Sequence, residues 1–138
     1  YNHYEISNWA QAGFESRHNS AYWNHTPYIG FGPGAHSLLI SGNSCIRRWN
    51  NSDASAYIAA ASAGDFDSIR GSETLSAEQL REERIMLGLR TARGIDPGDV
   101  LSGDASRRDF LEFTPQGRLR IRESSWFVSD SLILQMID

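Results

Sequence analysis

Lysine is absent from this chain, and cysteine occurs once, at Cys45. A lone cysteine excludes an intrachain disulfide, which fits a reducing compartment. It also excludes an iron–sulfur cluster held by this chain alone, because such clusters take several thiolates. Cys45 could act as a soft metal ligand, but a single cysteine more often behaves as a small buried hydrophobe. Long apolar runs are missing too. The longest, residues 37–40 and 132–137, fall far short of the roughly 20 residues that span a bilayer. No secretory or transit segment stands at the start. The chain opens on Tyr1 rather than Met, which suggests a fragment, so the missing leader says little about the parent.

Basic charge is in the minority. Thirteen arginines face seventeen acidic residues, for a net charge of −4, which weighs against nonspecific nucleic-acid binding. Using arginine alone gives bidentate grip on carboxylates, although genome base composition explains the bias as well. The 138 residues suit one domain, or a fragment with a small domain, and a hydrophobic share of 40% fits a globular protein.

The pattern of residues predicts an α+β chain. Tyr4 to Asn8 alternates as a short strand, and Tyr28 to Phe31 reads as a second strand running into glycines. Residues 10–24 lack a clean period and read mostly as loop, with at most a turn of helix. Ser37 to Ile40 and Cys45 to Trp49 flank Ser41-Gly42-Asn43-Ser44, a hairpin signal. Residues 53–63 are alanine-rich, with Ser52 or Asp53 as cap and Gly64 as stop, which predicts a helix. Residues 65–75 read as a polar connector. Ser76 and Gln79 fit a capping box before a helix over 77–93. Asp96-Pro97 starts a short helix with Pro97 in the first helical position. Phe110 to Thr114 and Leu119 to Ile121 form a hairpin around Pro115-Gln116-Gly117, and residues 129–137 close the chain as a helix.

The chemistry concentrates early. His18-Asn19-Ser20-Ala21-Tyr22-Trp23 places an imidazole, a carboxamide, a phenol and an indole within six residues. Imidazole ligates metals, and flat rings cover flat ligands. If the run is helical, His18 and Tyr22 share a face one turn apart, with Trp23 beside them and Asn19 free to orient ligand or imidazole. The bland alternative is a histidine and aromatics in plain packing. Gly30, Gly32 and Gly34 permit close backbone approach and positive φ, so they could cradle a carboxylate or phosphate, or simply make a tight turn. His36 follows as the runner-up ligand. Arg17, Arg47 and Arg48 are candidates to meet carboxylates, though most arginines are merely solvated. His3 and His25 have no supporting motif and read as surface or packing residues.

Three segments also carry a resemblance: Tyr4-Glu5-Ile6-Ser7-Asn8; Arg17-His18-Asn19 through Tyr22-Trp23; and Gly30-Phe31-Gly32-Pro33-Gly34-Ala35-His36-Ser37. In that order they resemble the C-terminal half of the radical-SAM proteins of the oxygen-independent coproporphyrinogen III oxidase-like family. The H-N-x-x-Y-W run is similar to the haem-chaperone (HemW-type) branch, and residues 83–96 are similar to the family's C-terminal domain. The resemblance implies that residues 1–64 are the last strands and hairpin of a partial TIM-like barrel, carrying the haem motif. Residues 65–75 would be a connector, and 76–138 a small winged-helix-like domain. Between Asp96 and Phe110 there is room for only about one short helix where the family carries a longer helical stretch, so either this domain is abbreviated or residues are missing from the sequence there.

By the same resemblance the cofactor is haem. His18 would ligate its iron with Asn19, Tyr22 and Trp23 as neighbours. Arg17, Arg47 and Arg48 are candidates for its propionates on guanidinium–carboxylate chemistry alone. The iron–sulfur cluster and S-adenosylmethionine would belong to the parent protein only, since the C-x-x-x-C-x-x-C motif is not in this chain. The implied setting is cytoplasmic, within porphyrin metabolism, with haem-requiring client proteins as partners and no membrane span. Strand edges cut from a barrel make homodimerisation an expectation as well.

Two other readings stand beside this one. The first is a part of oxygen-independent coproporphyrinogen III oxidase, which decarboxylates two propionates, although the H-N-x-x-Y-W run argues against it. This chain alone, lacking the cluster cysteines, would be inactive. The second is an interaction-only module. A winged-helix-like domain also invites DNA binding through Arg118, Arg120 and Arg122, but fold does not give function, and nine arginines against eleven acidic residues from Ser76 onward make nucleic acid an improbable partner.

Overall fold

The computed structural model describes residues 1–42, 44–100 and 109–137. The chain mixes helices and strands, as expected for an α+β protein. It divides into two compact units, residues 1–25 with 78–138, and residues 26–77.

The first unit begins with β1 (Asn2–Glu5) and β2 (Asn8–Ala10), a short antiparallel pair around Ile6-Ser7. The single strand read over residues 4–8 is in fact this hairpin. The helix α1 (Arg17–Trp23) follows, where loop with at most a helical turn was expected. Ser16 explains the difference: its side chain caps the helix by accepting from Asn19 N–H at 3.2 Å.

The long helix α3 (Ala77–Gly88) stops before the expected Arg93. Edge groups of β1 take over there, with Ile6 N–H donating to Arg90 C=O at 2.9 Å and Ala92 N–H to Tyr4 C=O at 3.0 Å. Gly88 also lets Ile95 close in, since a Cβ on it would sit 2.3 Å from Ile95 Cγ2. Asp96 caps a 3-10 turn at Pro97–Asp99, as its sequence suggested. The expected abbreviation between Asp96 and Phe110 lies largely outside the described residues.

The hairpin β6 (Leu111–Phe113) and β7 (Leu119–Ile121) and the helix α4 (Ser129–Ile137) stand where the sequence put them. Ile85, Leu89, Ile95, Ile121, Trp126, Ile133 and Met136 form the core of this unit. Trp126 satisfies its indole N–H on Ile121 C=O at 2.9 Å, so its ring is buried at no polar cost.

The second unit is a three-stranded antiparallel sheet with one helix. β3 (His36–Ser41) and β4 (Ser44–Asn50) form the expected hairpin. The helix α2 (Ala54–Ala63) has Asp53 as N-cap and Gly64 at φ 71° as C-cap, both as read. The polar connector needs correction. Its second half is β5 (Arg70–Leu75), paired in register along β4. Only Leu75 of β5 is buried, so the strand carries no apolar alternation to betray it. Its order comes from the ladder itself and from Arg47 Nη1 to Glu73 Oε1 at 3.0 Å. The strand read at 28–31 reduces to one bridge, Tyr28 with Leu38, because the glycines turn the chain away at once.

Candidate functional site

The early aromatic run lies on α1. This helix is two turns long and buries no residue. Helices that short are marginal on their own, so polar ties hold it. At its start Ser16 caps, and Asn19 Nδ2 donates to Glu5 Oε1 at 3.1 Å. At its end Arg93 Nη1 donates to Asn24 Oδ1 at 2.7 Å, and His25 Nε2 lies 2.6 Å from Glu83 Oε2.

His18 stands exposed on this scaffold, and its two ring nitrogens carry no hydrogen bond among the described residues. Tyr22, 41% exposed, meets it edge-on with ring centroids 5.1 Å apart. The shared face expected from helical spacing is therefore present. Trp23 is half-buried and lines a cleft of about 190 Å³ with His25, Arg84, Thr91 and Arg93. Its indole N–H is buried and has no acceptor among the described residues. Asn19, expected to orient ligand or imidazole, spends its side-chain nitrogen on Glu5. Arg17 is exposed at the first position of α1.

The remaining candidates belong to the other unit. Gly32 (φ 103°) and Gly34 (φ 67°) occupy conformations that favour glycine, while Gly30 has no room for a Cβ, which would sit 2.1 Å from His36 C=O. Their N–H groups are engaged internally: Gly30 donates to Ser37 Oγ, Gly32 to Tyr57 Oη and Gly34 to Asn51 C=O. The buried Asn50 ties down the same loop by donating to Gly32 C=O at 2.9 Å. His36 opens β3 and faces Trp49 across the ladder, ring centroids 6.2 Å apart. Both line a cleft of about 550 Å³ with Arg70 and Gly71. Arg47 pairs with Glu73, and Arg48 is exposed on β4. Cys45 is buried in β4, as its residue type suggests.

Two arginines suspected of facing nucleic acid are used internally. Arg118 donates to Gly94 C=O at 2.8 Å, and Arg120 pairs with Glu112 at 2.6 Å.

Two sets of contacts were not anticipated from the sequence. His3, read as a surface or packing residue, does pack: it stacks on Trp9 at 3.9 Å and contacts Glu123 Oε1 at 3.0 Å. Glu5 is 1% exposed yet charged by type, and gathers donors from Ser7, Asn8 and Asn19. The signal available was a carboxylate followed closely by Ser and Asn, two short donor residues.

An exposed imidazole with free nitrogens beside an aromatic ring fits the donor chemistry of haem iron. The same residues do not fit an iron–sulfur cluster, for Cys45 is single and buried. Among the described residues, no helix is long and apolar enough to cross a membrane.

No family model and no solved structure matches the chain. Curated relatives do. The chain is 39% identical over 95 residues to a protein of Lactococcus lactis named heme chaperone HemW, and 40% identical over 92 residues to one of Bacillus subtilis with the same name. These stretches cover 69% and 67% of this chain and 23% of each relative. A Danio rerio protein named radical S-adenosyl methionine domain-containing protein 1, mitochondrial, is 33% identical over 102 residues, covering 69% of this chain and 22% of that protein. The chain thus spans less than a quarter of the length of the relatives it matches.

Proposed function

With kinship to heme chaperones of the HemW type as the premise, we propose that this chain is the haem-holding part of a radical-SAM haem chaperone, with His18 as the iron ligand. The observation that carries the reading is the state of His18: exposed, on a tethered helix, with neither ring nitrogen hydrogen-bonded among the described residues and Tyr22 edge-on. A neutral imidazole offers one lone pair to iron. Tyr22 would give ring contact beside the ligand, and Asn19 would keep the helix in place. His18 would hold the group through a ring nitrogen, and haem would supply the iron that this nitrogen binds.

The finer architecture belongs to the same reading. Residues 1–64 would descend from the end of a TIM-like barrel, and 76–138 from a winged-helix-like domain. The iron–sulfur cluster and S-adenosylmethionine would be held elsewhere in the parent. Delivery of haem to client enzymes, in the cytoplasm, is the activity this supports. The relatives' names favour a chaperone over a decarboxylating oxidase.

The test is a haemin titration of the 138-residue chain followed by visible absorbance, beside His18→Ala. A saturable Soret shift that the variant loses supports the reading. A folded chain with no shift, or a variant that binds equally well, overturns it.

A further inference from the structure

Burying a carboxylate is costly unless its oxygens are matched by donors. Among the described residues, Glu5 meets that cost with neutral donors. Ser7 N–H donates to Oε2 at 3.0 Å and Ser7 Oγ at 3.2 Å, while Asn8 Nδ2 donates to Oε1. These three donors lie in the turn between β1 and β2 and at the first residue of β2. The fourth, Asn19 Nδ2 at 3.1 Å, reaches in from α1, fourteen residues away, and stands next to His18. Because α1 fully buries no residue, and its half-buried Trp23 lies at the far end, apolar packing does not by itself fix where the first turn presents its imidazole. The tie between Asn19 and the fully buried Glu5 side chain does so at the turn that carries His18. Glu5 is itself anchored, since it bridges to Thr91 while Tyr4 and Ile6 bond the segment after α3.

We infer that Glu5 is the positioning residue of the haem-ligand helix: through Asn19 it sets the place of α1, and thereby of His18. This rests on the proposed haem reading for its ligand readout, but not for its structural one. If Glu5 served only the β1–β2 turn, the bonds to Ser7 and Asn8 would suffice and Asn19 would be dispensable.

Three variants of the 138-residue chain separate these cases. Asn19→Ala keeps the turn bonds and cuts the tie. Glu5→Gln puts an amide donor where Asn19 donates. Glu5→Gln with Asn19→Asp restores a donor facing an acceptor with the direction reversed. Haemin affinity and amide hydrogen exchange over residues 17–23 are measured for each. The expected result is a roughly tenfold loss of haemin affinity and faster exchange in Asn19→Ala, the scale of one hydrogen bond to a charged group. The double variant should recover most of what Glu5→Gln loses. Wild-type affinity and exchange in Asn19→Ala would overturn the inference, as would a double variant no better than a folded Glu5→Gln. Should Glu5→Gln fail to fold, Asn19→Ala alone decides. A wild-type chain that takes up no haemin sinks the haem reading, and the exchange comparison then still decides the tie.

Discussion

Gly71 shows how much one missing methyl group can organise. It sits opposite Trp49 in the ladder between β4 and β5, and a Cβ there would lie 2.2 Å from the indole. The ring therefore occupies the space a side chain would take. Gly71→Ala should push the indole out of place and cost about 1–3 kcal/mol, the usual scale of overpacking. Urea unfolding followed by tryptophan fluorescence would measure it. At this scale the sequence was partly readable. His18 stood out through its aromatic company, and the edge-on Tyr22 follows from helical spacing. Glu5 was not readable as a hub, because its burial depends on a partner fourteen residues away and on strand pairing with Thr91.

Elements divide along the same line between local and distant causes. α2 and α4 were legible because their signals are local: a capping carboxylate, a stopping glycine, a helical period. Asp53 Oδ1 accepts from Ala56 N–H at 2.9 Å, and Asp53→Ala should cost about 1 kcal/mol of stability, seen as a lower thermal midpoint. Gly64→Ala should act in the same direction, since φ 71° is strained for alanine. β5 was not legible because its residues are polar and its order is borrowed from β4. The end of α3 was misplaced because backbone groups of β1, some 85 positions earlier in the chain, claim Arg90 and Ala92. No local pattern announces either event.

At the scale of the whole molecule, the two units differ in how they are held. The first encloses seven buried apolar residues around Ile85 and Ile121. The second buries chiefly Leu38, Cys45, Ala60 and Leu75, while Ile29, Phe31, Ile40 and Ile58 remain exposed. Native-state hydrogen exchange should therefore show stronger protection on α3 and α4 than on β3 to β5, because protection follows buried apolar contact. Ile85→Ala should remove about 2–5 kcal/mol from the first unit, measured by denaturant unfolding. The mixed α+β class could be read from the sequence, and so could the kinship to haem chaperones. The pairing of residues 1–25 with 78–138 could not, since it rests on backbone bonds between segments far apart in the chain.

The central claim is that the His18 imidazole is the iron ligand, and chemical rescue tests it most directly. His18→Gly would be titrated with haemin, with and without free imidazole, and the Soret band compared with that of the unaltered chain. The account predicts a band lost in the variant and restored by added imidazole. A variant that keeps the original band without imidazole, or whose band imidazole does not restore while circular dichroism shows a folded chain, would contradict it.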